Sequence, residues 1–112
     1  MPPDEVRLRH MLNAARKTLA FTDGPSRSDL DTDEQLTLAM VRLLEIIGEA
    51  AKKVAAETRA AHVEIPWRDI AGTRDRLIHG YFDVDLDVVW SIATGDLPGL
   101  VASLETVLEH DV

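Results

Sequence analysis
Residues 32–54, T-D-E-Q-L-T-L-A-M-V-R-L-L-E-I-I-G-E-A-A-K-K-V, decide the fold class. Leu36, Met40, Leu43, Ile47, Ala50 and Val54 step by four and three alternately, the spacing that lays apolar side chains along one helical face. Thr32 with Gln35 has the spacing of a capping box, so the helix is expected to open at Thr32 and to run to about residue 58. Leu38, Val41, Leu44 and Ile46 widen the stripe beyond one seam, which predicts packing on two sides. Either a helical core absorbs all of this surplus or part of it faces a second copy of the chain. Gly48 costs roughly 1 kcal/mol against alanine in mid-helix, and close backbone approach by another helix would explain it.

Working outward, Leu8, Met11, Leu12, Ala15 and Leu19 give residues 6–21 the same helical periodicity, ended by the turn-forming Thr22-Asp23-Gly24-Pro25-Ser26. Ile65-Pro66-Trp67-Arg68-Asp69 opens a third helix, with proline in the first turn and Asp69 near the positive end of the dipole. Its inward face is Ile70, Thr73, Leu77 and Ile78, and Gly80 is placed to end it. Residues 82–90 alternate as a strand would, but a lone strand has no ladder partner in a helical chain. Leu86, Val89, Trp90 and Ala93 also fit a short helix capped by Asp85, which is the preferred reading. Gly95-Asp96-Leu97-Pro98 is expected to close that helix and open the last, whose face is Leu97, Leu100, Val101, Leu104, Val107 and Leu108. The expected architecture is all-α, an up-and-down bundle of four to five helices forming one domain over residues 1–112.

The composition fits that size: 112 residues, 46% apolar and 29% charged, suit one small core. The net charge of −8 and the lack of a Lys/Arg run argue against nonspecific DNA coating. With no cysteine there is no disulfide, no thiolate nucleophile and no Cys-containing zinc site. The opening M-P-P-D-E has no export signature and no apolar run approaches a membrane span, so a soluble, cytoplasmic protein without membrane association is expected. His10, His62, His79 and His110 include no i, i+4 pair that would hold a metal. Asp83-Val84-Asp85-Leu86-Asp87 resembles the start of a calcium loop, but Val88 and Thr94 occupy its glycine and glutamate positions. No glycine-rich phosphate loop is present, and neither a metal nor a cofactor is expected.

Chemistry concentrates in Arg74-Asp75-Arg76-Leu77-Ile78-His79-Gly80-Tyr81, which gathers guanidinium, carboxylate, imidazole and phenol within eight residues. On a continuous helix Asp75 and His79 would share a face, letting the carboxylate orient the imidazole and raise its pKa. Arg74 and His79, five apart, would stand roughly 140° apart round the same helix. They converge only if the arginine reaches round, the helix deforms near Gly80, or a second copy completes the site. The plainer alternative is a surface helix end with His79 as its C-terminal cap.

The stretch I-P-W-R-D-I-A-G-T-R-D-R-L-I-H-G-Y-F-D-V-D, residues 65–85, with L-E-I-I-G-E-A-A-K-K at 44–53, resembles the HepT family of HEPN-domain toxins. The likeness runs from the first helix to the final D-L-P-G-L. The family motif, arginine, a polar residue, three variable positions, histidine, one position and tyrosine, is matched by Arg74, Asp75, His79 and Tyr81. The resemblance implies a HEPN-like bundle that dimerises so that both motifs line one cleft. It implies a metal-independent endoribonuclease with Arg74 and His79 as catalytic residues, and Asp75 and Arg76 support them. It also implies a minimal nucleotidyltransferase antitoxin that adenylylates Tyr81. The residues suit RNA cleavage: His79 can move protons at neutral pH, and Arg74 can neutralise a phosphate. The charge opposes it, since a dimer would carry about −16 and would repel RNA except where the local field is positive. The competing reading is a noncatalytic helical module that binds nucleotide or a partner protein on the same cleft.

Overall fold
The computed structural model describes residues 3–79 and 83–110, and for Pro3, His79 and His110 the backbone alone. It is an all-α bundle framed by three long helices, α1 (Pro3–Phe21), α3 (Glu34–Lys53) and α8 (Leu97–His110). Between them lie α2 (Asp29–Thr32), α4 (Ala56–Ala61), α5 (Trp67–Ala71), α6 (Thr73–Leu77) and α7 (Leu86–Ser91), and a two-residue ladder of β1 (Ile78–His79) with β2 (Asp83–Val84). The start of α1 reaches the end of α3, where the Asp4 carboxylate accepts from the Ala55 amide, so these two helices run antiparallel. The buried apolar side chains form one cluster, with Met11, Met40, Leu44, Ile65, Leu77, Val89 and Leu104 at its centre.

The expected four to five helices are eight α-helical segments among the described residues. The cap of α3 is Asp33, whose side chain accepts from the Leu36 amide at 3.0 Å, and not Thr32, which ends α2. Extended backbone at Asp33 brings its short carboxylate onto the third amide of the helix. At its other end α3 stops at Lys53, short of residue 58. There the Arg59 side chain donates to the carbonyls of Ala51, Lys52 and Val54 at 2.9–3.1 Å, satisfying groups that a helix end leaves open. Asp4 does the converse for α4, accepting from the Ala55 amide and the Thr58 hydroxyl. The Thr58 hydroxyl, with the Ala55 amide and Arg7, holds the Asp4 carboxyl below its ordinary 3.8 against the opposing effect of burial.

The surplus apolar surface of α3 is mostly absorbed within the chain. Val41 and Leu44 are buried and Ile46 is half-buried against the core, whereas Leu38 stays 60% exposed. Gly48 meets the expected close approach: a Cβ there would lie 3.1 Å from the Ile70 carbonyl oxygen and 3.5 Å from the Thr73 Cβ. Thus α5 and α6 lie directly on the backbone of α3. The expected helix break at Gly95–Pro98 does not occur. A π-helical turn, Ile92–Asp96, carries α7 into α8. Pro98 has no N–H for the Thr94 carbonyl and its ring would crowd that carbonyl, and the wider turn relieves both.

Candidate active site
The close seat on Gly48 sets where α6 presents Arg74, Asp75 and Arg76. All three are exposed. Arg76 makes a loose surface ion pair with Asp96 at 3.6 Å, of the kind worth little to stability. The side chains of Arg74 and Asp75 have no hydrogen bond or ion pair among the described residues, so the guanidinium is available to a phosphate.

The motif is not one helix. Gly72 separates α5 from α6, and α6 ends at Leu77, where Ile78 turns extended (φ −115°, ψ 119°). The next two residues enter the ladder, Ile78 opposite Val84 and His79 opposite Asp83, and the Asp85 amide donates to the Leu77 carbonyl at 2.7 Å. Asp75 and His79 therefore do not share a helical face, and His79 does not cap a helix C-terminus. The ladder takes up the backbone groups that a further helical turn would have used, and β-branched Ile78 suits the extended form. The chain does deform between Arg74 and His79, one of the ways the sequence left for them to converge, and among the described residues it does so at Ile78; Gly80, where the deformation was expected, lies outside them. Tyr81 lies outside the described residues.

Residues 83–90 combine the two readings that the sequence offered. Asp83 and Val84 pair with β1, and Asp85 then caps α7, accepting from the Val88 amide at 3.2 Å as expected. Arg27 anchors the first turn of α7, with its Nε donating to Asp87 at 2.6 Å and its Nη1 to Asp31 at 3.2 Å. These carboxylates push the guanidinium's pKa up, Asp87 foremost.

Of the concavities among the described residues, one borders α6 and another lies away from the motif. A cavity of about 320 Å³ lies between α3, α5, α6, the π-helical turn and α8, floored by Leu44, Ile47 and Leu100 and rimmed by Glu64, Asp69, Asp96 and Arg76. Three acids against one arginine, itself paired with Asp96, make that rim a poor seat for a phosphate. A groove of about 460 Å³ between α1 and α3 gathers Arg7, Arg42, Lys53 and His10 against Glu49, a local positive field on an acidic chain. Among the described residues no three His, Asp or Glu side chains come together as metal ligands. Nor is any helix among them long and apolar enough to cross a membrane.

Residues 11–107, which include α3 and the whole motif, match the model of the HepT-like ribonuclease family. The chain belongs to that family. It is 38% identical over 104 residues to "Putative RNase TTE0752" of Caldanaerobacter subterraneus subsp. tengcongensis, covering 93% of each chain. It is 44% identical over 85 residues to "Probable ribonuclease HepT" of Thermococcus cleftensis, covering 76% of this chain and 77% of the relative. No solved structure matches at a significant level. The family places the chain among ribonucleases, so a phosphodiester is the group that Arg74 and His79 are to be judged against.

Proposed function
We propose that the chain is a metal-independent RNA endonuclease, the toxin of a toxin–antitoxin pair, working as a homodimer in which the Arg74–Tyr81 segments of two copies line one cleft. The observation that carries this reading is Arg74, exposed on α6 with no side-chain partner among the described residues, on the one-and-a-half-turn helix that leads into the strand holding His79. In the reaction, one His79 imidazole takes the proton of a ribose 2′-OH. The 2′-oxygen attacks the adjacent phosphorus, and the 5′-oxygen leaves with a proton from a second imidazole. Arg74 neutralises the charge that grows on the phosphoryl oxygens. The products are a 2′,3′-cyclic phosphate and a 5′-hydroxyl, and the need for a 2′-OH confines the reaction to RNA. Two copies supply the two imidazoles, one as base and one as acid.

Tyr81 is the proposed acceptor of AMP from a minimal nucleotidyltransferase partner. An adenylyl group two residues beyond His79 would bring a phosphate to Arg74 and bar RNA by exclusion and charge together. The test is RNA cleavage in excess EDTA by the wild type, Arg74→Ala and His79→Ala, beside sedimentation of the wild type. The expected results are a species of twice 12.4 kDa and losses on the order of 10² to 10⁴ in rate for His79→Ala. Equal activity in all three proteins would withdraw the assignment and leave the noncatalytic binding module, and a monomer would remove the shared cleft.

A further inference from the structure
We propose that Asp83, rather than Asp75, is the carboxylate that positions His79 for proton transfer, an inference that rests on the ribonuclease reading above. The ladder is antiparallel, with Ile78 opposite Val84 and His79 opposite Asp83. Because the Asp85 amide donates to the Leu77 carbonyl, Leu77 and Asp85 stand at a hydrogen-bonded position of the ladder. Such positions alternate along an antiparallel pair, so the next falls at His79 and Asp83, with Cα atoms about 5.5 Å apart. Residues opposite each other stand on the same face of a ladder with Cβ atoms about 4.5–5.5 Å apart.

The other charges around the hairpin are differently placed. From α6, Arg76 is paired with Asp96, and Asp75 lies beyond the break at Ile78, without the i, i+4 relation that a continuous helix would give it. At the head of α7, Asp85 accepts from the Val88 amide and, opposite Leu77, is the diagonal rather than the direct neighbour of His79 on the ladder face, and Asp87 is held by Arg27. Arg74 is the remaining cation on α6, and in the proposed reaction the RNA phosphate takes it up. Asp83 is exposed, and its side chain has no hydrogen bond or ion pair among the described residues. A carboxylate opposite an imidazole favours the protonated ring and fixes which nitrogen carries the proton in the neutral one. Asp83 thus acts through His79, as a positioning residue.

The experiment is NMR titration of the His79 imidazole in the wild type, Asp83→Asn, Asp83→Glu and Asp75→Asn, with the resonance assigned by its loss in His79→Gln. The His79 pKa is expected to fall in Asp83→Asn, because the carboxylate that favours the protonated ring is gone. It should stay near the wild-type value in Asp83→Glu, which keeps the charge, and in Asp75→Asn. The limb of the pH–rate profile that His79 governs should move toward acid by the same amount in Asp83→Asn. An unchanged His79 pKa in Asp83→Asn, or an equal fall in Asp75→Asn, overturns the proposal. The titration needs no RNA, so a wild type that fails to cleave removes the ribonuclease reading, whereas an unmoved titration removes this pairing.

Discussion

The amide of Asp85 donates to the carbonyl of Leu77 at 2.7 Å, and this bond closes the hairpin that takes His79 out of the motif helix. Asp85 fixes the hairpin twice, since its side chain also caps α7. Asp85→Ala keeps the backbone bond but loses the cap, at a cost of about 1 kcal/mol. Urea unfolding should show a lower midpoint with the same slope, and an unchanged midpoint would mean that the cap contributes nothing to the hairpin's support.

Gly48→Ala should destabilise the protein although alanine is the better helix former. The gain of roughly 1 kcal/mol in helix propensity is set against a Cβ 3.1 Å from the Ile70 carbonyl oxygen, a backbone atom that cannot swing aside. Overpacking of this kind typically costs about 1–3 kcal/mol, so the expected net effect is a fall in Tm. At Gly99 a Cβ meets nothing within 4 Å, so Gly99→Ala is the control and should hold or raise the Tm. A Tm raised by both substitutions would show that α5 and α6 do not sit on Gly48 as described.

Asp4 gives the stability a pH dependence at the acid end. Its carboxyl is held below the ordinary 3.8, first by the Thr58 hydroxyl and further by the Ala55 amide and Arg7. A depressed folded-state pKa stabilises the native form above the unfolded value of about 3.8, and that contribution is lost as pH falls through the folded value. Asp4→Asn should therefore be less stable than the wild type at neutral pH and should approach it below about pH 3.8. Denaturant midpoints at several pH values check this, and a constant gap across the range would contradict it.

The long helices were legible because α1, α3 and α8 each sustain an apolar stripe for about four turns or more, and Gly48 stood out as a glycine that needed a neighbour. Their ends were less legible. Where α3 stops depends on Arg59 taking its last carbonyls, and where α4 starts depends on Asp4, 51 residues before Ala55. No periodicity window contains such partners. Arg74, Asp75, His79 and Tyr81 were singled out by residue type and by the family resemblance, yet the relation read between Asp75 and His79 assumed a helix that ends at Leu77. The missing signal was present in the alternation of residues 82–90. Set antiparallel to Ile78 and His79, that alternation supplies the absent ladder partner and brings Asp83 opposite His79.

Cleavage of a short RNA by the purified protein in excess EDTA, compared with the same sequence carrying 2′-deoxyribose at the cut position, is the most direct test of Arg74 and His79 as a metal-independent ribonuclease site. The account predicts a cut only next to ribose, leaving a 2′,3′-cyclic phosphate and a 5′-hydroxyl. Cleavage at the 2′-deoxy position, or cleavage of the RNA that EDTA abolishes, would contradict it.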